Sequence, residues 1–337
     1  MAGLRVARIS GVRALRLATD IPYRFLPGDI GGEDLTTIAA AQLSRLSLLL
    51  ADPADAAAGH HKARKCIKRL RALLRLARAA AGDKPWRQVD RALRDLGRSV
   101  SGARDATAQL LMLDRLQTDH GRVALGAGGQ ALRDALLSSS QAAPQEPGTA
   151  VLSGGVARAA KMVHLLPLAS FDAASALRGV QAAYRSARHA VPIAYASADA
   201  EDFHRLRKCV QQHWRHMQLF VAAWPDEQQA RIELARTLSE RLGEDHDLWL
   251  LRLQLRQDKT RTRELDHLCS DRQVAIRSEV HPLLRLLLAE RPKALRQRLE
   301  ALWAAVPACL PSVGAPDDGR AGMAHHETNR QPTSRRQ

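Results

Sequence analysis

Residues 60–78, "HHKARKCIKRLRALLRLAR", carry eight lysines and arginines and no acid. On a helix turning 100° per residue, Ala63, Cys66, Ile67, Leu70, Leu73, Leu74 and Ala77 gather at one pole. His61, Arg64, Lys65, Lys68, Arg71 and Arg75 take the opposite pole, with Lys62, Arg69 and Arg78 at its margins. The stretch therefore reads as an amphipathic helix with one face in a core and an unmixed cationic face outside it. Like charges four residues apart each weaken a helix by about a few tenths of a kcal/mol. Nothing within the stretch offsets them, so the counter-charge must come from elsewhere.

The stretch has a second copy. Setting His61 over His204 brings Arg64 onto Arg207, Lys65 onto Lys208, Cys66 onto Cys209 and Ile67 onto Val210. Further on, "LGRSVSGARD", ending at Asp105, falls over "RLGEDHD", ending at Asp247, at 44 residues from His61 and 43 from His204. The second cationic face holds His204, Arg207, Lys208 and Arg215, but Gln211 and Gln212 stand where the first copy has Lys68 and Arg69, and Trp214 stands where it has Arg71. His213 and His216 fall on or near the apolar side, where hydrogen-bonded core histidines are expected.

Alanine, leucine and arginine dominate, β-branched residues are sparse and apolar residues recur at three and four, so nearly the whole chain reads as helix. Helices are expected over 33–50, 55–80, 85–117 and 121–137. A Ser-, Pro- and Gly-rich linker is expected at 138–155, with helices resuming to about 305. The repeat of about 143 residues predicts an all-α fold of two pseudosymmetric four-helix bundles in one compact domain, spanning 23–137 and 156–305. A basic N-terminal extension, 1–22, and a polar tail, 306–337, are expected to be disordered.

A chain of 337 residues, 45% hydrophobic, can bury a substantial core. A net charge of +16 and a pI near 10.7 point to polyanionic partners: nucleic acid, anionic lipid or phosphate chains. No apolar run nears the roughly 18 residues of a membrane span, and no signal-peptide core precedes a cleavage site. The four cysteines show no C-x-x-C spacing and read as reduced thiols in a cytoplasmic protein.

Four motifs carry a resemblance. They are His61-x-x-Arg64-Lys65-x-x-Lys68-Arg69-Leu70-Arg71, "SGARD" at 101–105, "FHRLRKCVQQHW" at 203–214 and "LGEDHD" at 242–247. In these the chain resembles the CHAD domains, conserved-histidine α-helical domains, over about residues 23–305. The resemblance implies two four-helix bundles whose motif helices line a basic groove or pore that binds inorganic polyphosphate, in the cytoplasm and in association with polyphosphate granules. On that reading His61, Arg64, Lys65, Lys68, Arg69, Arg71, Arg75, His204, Arg207, Lys208 and Arg215 bind the phosphates. Arg104, Asp105, Asp245 and Asp247 orient cations or cap helix starts. Gln211 and Gln212 depart from the family pattern, so the second half is expected to contribute fewer contacts.

The chemistry agrees. Polyphosphate is a flexible string of anionic oxygens without bases, matched by arginine forks and lysine point charges rather than aromatic platforms. A bound anion would favour protonated His61 and His204. Nucleic acid, the main alternative partner, finds aromatic residues at only 4% of the chain and none in 60–78. A phosphohydrolase or metal-dependent polyphosphate-processing enzyme, the further alternative, would want clustered carboxylates, and neither an E-x-E string nor a P-loop occurs. The expectation is a non-catalytic protein without metal or cofactor, of open oligomeric state.

Overall fold

The computed structural model describes residues 21–51, 56–100, 104–120, 126–141, 148–256 and 259–309. Residues 1–20 of the expected basic extension and 310–337 of the expected tail lie outside them. Among the described residues the fold is all-α, with extended pairing confined to one bridge between Gly31 and Asp172. The helices are α1 (Gly32–Ala51), α2 (Ala56–Leu76), α3 (Arg78–Ala81), α4 (Asp83–Ser99), α5 (Arg104–His120) and α6 (Gly126–Gln141). After them come α7 (Thr149–His164), α8 (Ala173–Ser197), α9 (Ala200–Leu219), α10 (Pro225–Leu255), α11 (Lys259–Leu287) and α12 (Pro292–Cys309).

All seven residues of the apolar stripe read from the opening stretch are buried. The helix expected over 55–80 stops at Leu76 and resumes as the short α3. The one expected over 85–117 is two helices, α4 and α5. Most of the stretch read as linker is helical, because α6 runs to Gln141 and α7 starts at Thr149. In α7, Leu152, Val156, Ala159 and Val163 form a buried stripe at helical spacing. Burying that stripe outweighs the helix cost of Gly154 and Gly155, about 1 kcal/mol each. Gly155 also serves packing: a Cβ there would lie 3.0 Å from the Leu96 side chain on α4. At the other end, α12 continues to Cys309, past the expected start of the tail.

The packing does not divide at 138–155. Helices α1, α2, α4 and α7 close a ring, each touching the next. Helices α5 and α6 pack instead on α10 and α11, closing a second ring of four. The pair α8–α9 lies beside them, with α12 on α8, and α2 touches both α8 and α9. The four-helix groups thus interleave along the chain: α7 completes the group begun by α1, while α5 and α6 join helices about a hundred residues later. Periodicity tells which face of a helix is apolar; it does not tell which helix that face meets.

Local signals set the helix that matters most for the site. Asp199 caps α9 by accepting from the Glu201 backbone N–H at 2.8 Å. The far end of α9 is pinned by the Phe25 N–H, which donates to the Leu219 carbonyl at 2.8 Å, and by Phe25 packing on Phe220. Trp303 on α12 donates to the Gly28 carbonyl at 3.0 Å and holds the same N-terminal segment.

Candidate functional site

A cleft of about 720 Å³ opens between α2 and α9. Helix α2 lines it with Arg64, Lys68, Arg71, Ala72 and Arg75, and α9 with His204, Arg207, Lys208, Gln211, Gln212 and Arg215. Asp90 and Arg94 come from α4, Ala108 from α5, and His246, Asp247 and Leu250 from α10. The described lining therefore holds eight arginines or lysines against two aspartates.

Eight of the eleven side chains expected to bind phosphate meet in this cleft; His61, Lys65 and Arg69 do not line it. Helix geometry accounts for two of the three. Measured from His61, the α2 lining spans roughly −80° to +20°, whereas Lys65 and Arg69 fall at roughly +40° and +80°. Lys65 is exposed. The Arg69 guanidinium lies over the Tyr23 ring at 5.6 Å, and the Tyr23 hydroxyl donates to the Arg69 carbonyl. His61 sits toward the N-terminal end of α2, beyond the lining. From the second half α9 brings three cations, Arg207, Lys208 and Arg215, against four from α2, and Gln211 and Gln212 line the cleft beside them.

The counter-charge that α2 lacks in its own sequence comes from α4. Arg71 donates to Asp90 through Nε at 2.8 Å and Nη2 at 3.4 Å, and Arg94 donates through Nη2 at 2.6 Å. Burial pushes the Asp90 carboxyl up, but the two guanidiniums outweigh it and hold the group below the ordinary carboxylate range. Arg75 reaches across the cleft and donates to Gln212 Oε1 at 2.8 Å.

On the opposite wall one cation sits deeper. Arg215 is only 8% exposed. It donates to the Gln211 carbonyl at 2.8 Å and lies over the Trp214 ring at 5.2 Å. Burial lowers its pKa to about 10, and neighbouring Arg69 and Arg207 add to the effect against Tyr23. Arg207 crosses α10 at Gly243, where a Cβ would lie 2.9 Å from its Nη2. Glycine in a helix interior costs about 0.5–1 kcal/mol against alanine, and here it makes room for a guanidinium.

Beside Arg207 the His204 and His246 rings stack at 3.8 Å between centroids and 19° between planes, with Trp249 stacked on His246 at 5.5 Å. Burial pulls His204 down to about 3, and His246, Lys208, Arg207 and Lys68 reinforce the shift. Burial likewise takes His246 to about 4, helped by Arg207 and Lys208. Both rings are therefore neutral at neutral pH in the unliganded protein. At neutral pH a protonated His204 requires an anion in the cleft.

The remaining expected residues divide. Asp247 lines the cleft. Asp245 does not: it is 1% exposed and accepts from Arg277 Nε at 2.7 Å and from Gln273 Nε2 at 3.4 Å. Arg277 in turn donates to the Ala198 carbonyl and lies over the Phe203 ring at 4.0 Å. Asp245 thus fixes α11 against α10 and the base of α9. Arg104 and Asp105 open α5, with side chains outside the described residues. His216 is a hydrogen-bonded core histidine, its Nε2 donating to the Ala72 carbonyl at 3.0 Å. His213 is buried edge-on to Tyr184 at 5.0 Å, and among the described residues neither ring nitrogen has a hydrogen-bond partner.

Among the described residues, no three His, Cys, Asp or Glu side chains are arranged to hold a metal ion, and no helix is long and apolar enough to cross a membrane. Asp90, Arg94 and His246 are the charged or imidazole side chains of the cleft that the sequence reading did not place there. No curated protein matches the chain. The crystal structure of the CHAD domain from the plant Ricinus communis is similar in fold, with a TM-score of 0.51 at 19% identity over 83% of this chain and 97% of that one. A family model described as CHAD domain matches residues 37–256, more than half of the chain. On that match, the chain belongs to the CHAD-domain family.

Proposed function

We propose that the cleft between α2 and α9 binds inorganic polyphosphate without chemically altering it. The observation that carries the reading is the lining of eight cations against two acids, drawn from facing helices. Neighbouring phosphoryl groups of a chain present charge at regular short intervals. Two walls of guanidiniums and ammoniums meet such a ligand along its length, with arginine forks for paired oxygens and lysines as point charges.

A competition assay at fixed salt tests the reading, with long-chain polyphosphate set against single-stranded DNA, RNA and duplex DNA. Polyphosphate is expected to displace each nucleic acid at lower phosphate concentration. Tighter binding of any nucleic acid would replace this reading with a nucleic-acid interface. Chain length of the polyphosphate should stay constant on incubation; shortening would make the protein a hydrolase.

A further inference from the structure

Asp90 is an acid in a site for anions, and on charge alone it should oppose binding. Its surroundings argue for another role. The Asp90 side chain is 6% exposed, whereas those of Arg71 and Arg94 are 34% and 49% exposed. A buried carboxylate thus anchors two half-exposed guanidiniums, both of which line the cleft. Arg71 spends Nε and one Nη2 proton on this anchor. A guanidinium is planar with its donors in fixed directions, so holding one edge aims the other. The edge left over on Arg71 is the terminal one, carrying Nη1. Arg94, held through Nη2 alone, keeps Nε and Nη1 for other partners.

We infer that Asp90 is the positioning residue of the cleft, fixing Arg71 and Arg94 so that their remaining donors meet successive phosphoryl oxygens. The inference rests on the phosphate-chain reading of the cleft. It has a sign that separates it from simple electrostatics. Replacing Asp90 with a neutral residue raises the net positive charge of the cleft, which by field alone tightens polyanion binding. Loss of positioning loosens it.

The test is polyphosphate titration by calorimetry on the full chain, comparing wild type with Asp90→Asn, Asp90→Glu and Asp83→Asn. Asp83 is an exposed acid that pairs with Arg78 and Arg87 away from the cleft, so its replacement adds the same charge without touching the anchor. Asp90→Asn is expected to bind about tenfold more weakly, the size usual for loss of a group that orients a ligand-binding side chain. Asp90→Glu should recover most of that loss, and Asp83→Asn should bind as wild type or slightly tighter. If Asp90→Asn binds as well as wild type or better, the inference is overturned.

Should that variant fail to fold, the wild type decides by NMR of arginine Nε–Hε groups. The Arg71 signal should stay slow to exchange and little shifted when polyphosphate is added, because Nε remains on Asp90. Loss of its protection on binding would mean that the ligand displaces the carboxylate, and would equally overturn the inference. Wild type that does not bind polyphosphate overturns the function proposed above and this inference with it; wild-type binding unchanged by Asp90→Asn overturns this inference alone.

Discussion

On α2 the cleft cations are half-buried or exposed, and two are tied from outside the helix: Arg71 to Asp90 of α4, and Arg75 to Gln212 across the gap. On α9 one cation is sunk into the protein while Lys208 stays exposed. Arg215 is buried against Trp214, Arg207 passes over Gly243, and His204 is stacked and neutral. The two helices share the string H-x-x-R-K-C, yet one presents adjustable charges and the other a built wall. A repeat in sequence need not be a repeat in burial, because the neighbours that cover each helix differ.

Lys65 and Lys208 break or sharpen this comparison most strongly, since they align in the repeat while only Lys208 lines the cleft. Lys208→Glu should weaken polyphosphate binding by about tenfold or more, whereas Lys65→Glu should stay within about twofold, its charge being solvated and screened. Equal losses, read by calorimetry at one salt concentration, would mean that the two helices contribute alike.

Stability gives the next contrast. Arg215→Ala removes a buried stem stacked on Trp214 and should cost about 2 kcal/mol in urea unfolding. Arg75→Ala removes an exposed side chain and should stay within about 0.5 kcal/mol. If the two cost the same, the α9 wall is not a built one.

Acid is the third probe, and its effect should be gradual. His204 and His213 are held near 3, and His216 and His246 near 4, all from an ordinary value of 6.5, with burial the first cause. The unfolded chain therefore binds protons that the fold excludes. Their contribution to stability is full above about pH 6.5 and is lost as pH falls toward 3. Replacing both His204 and His246 with Gln should flatten that fall, measured by thermal melts across the range. An unchanged profile would place the acid sensitivity in other groups. Bound polyphosphate opposes the cationic field at His204, so binding should take up protons, and affinity should rise as pH falls below 6.5 rather than around 6.5.

Much of this was readable from residues. The α2 stripe from Ala63 to Ala77 gave the helix, its core face and its cationic face, because a 3.6-residue period acts within one element. The common string and the matched spacing to Asp105 and Asp247 led to α9 and α10. What stayed hidden was pairing between elements. Asp90 and Arg94 sit in "VDRALRDL", a mixed-charge run that reads as ordinary surface until α4 is laid against α2. His246 is unremarkable beside three acids in "GEDHD" until its ring meets His204. Gln211 and Gln212 read as missing charges; the Gln212 side chain proves to receive Arg75 across the cleft, while Arg215 uses only the Gln211 backbone carbonyl along the helix.

The central claim is that one cleft, with both walls engaged at once, holds the polyphosphate chain. Calorimetric titration of Lys68→Glu combined with Lys208→Glu, one cation from each wall, tests it most directly. Both side chains line the cleft and neither makes part of the apolar core. Helical circular dichroism should be unchanged and polyphosphate binding should be lost. A folded double variant that binds polyphosphate with wild-type affinity would contradict the claim and put the site elsewhere on the surface.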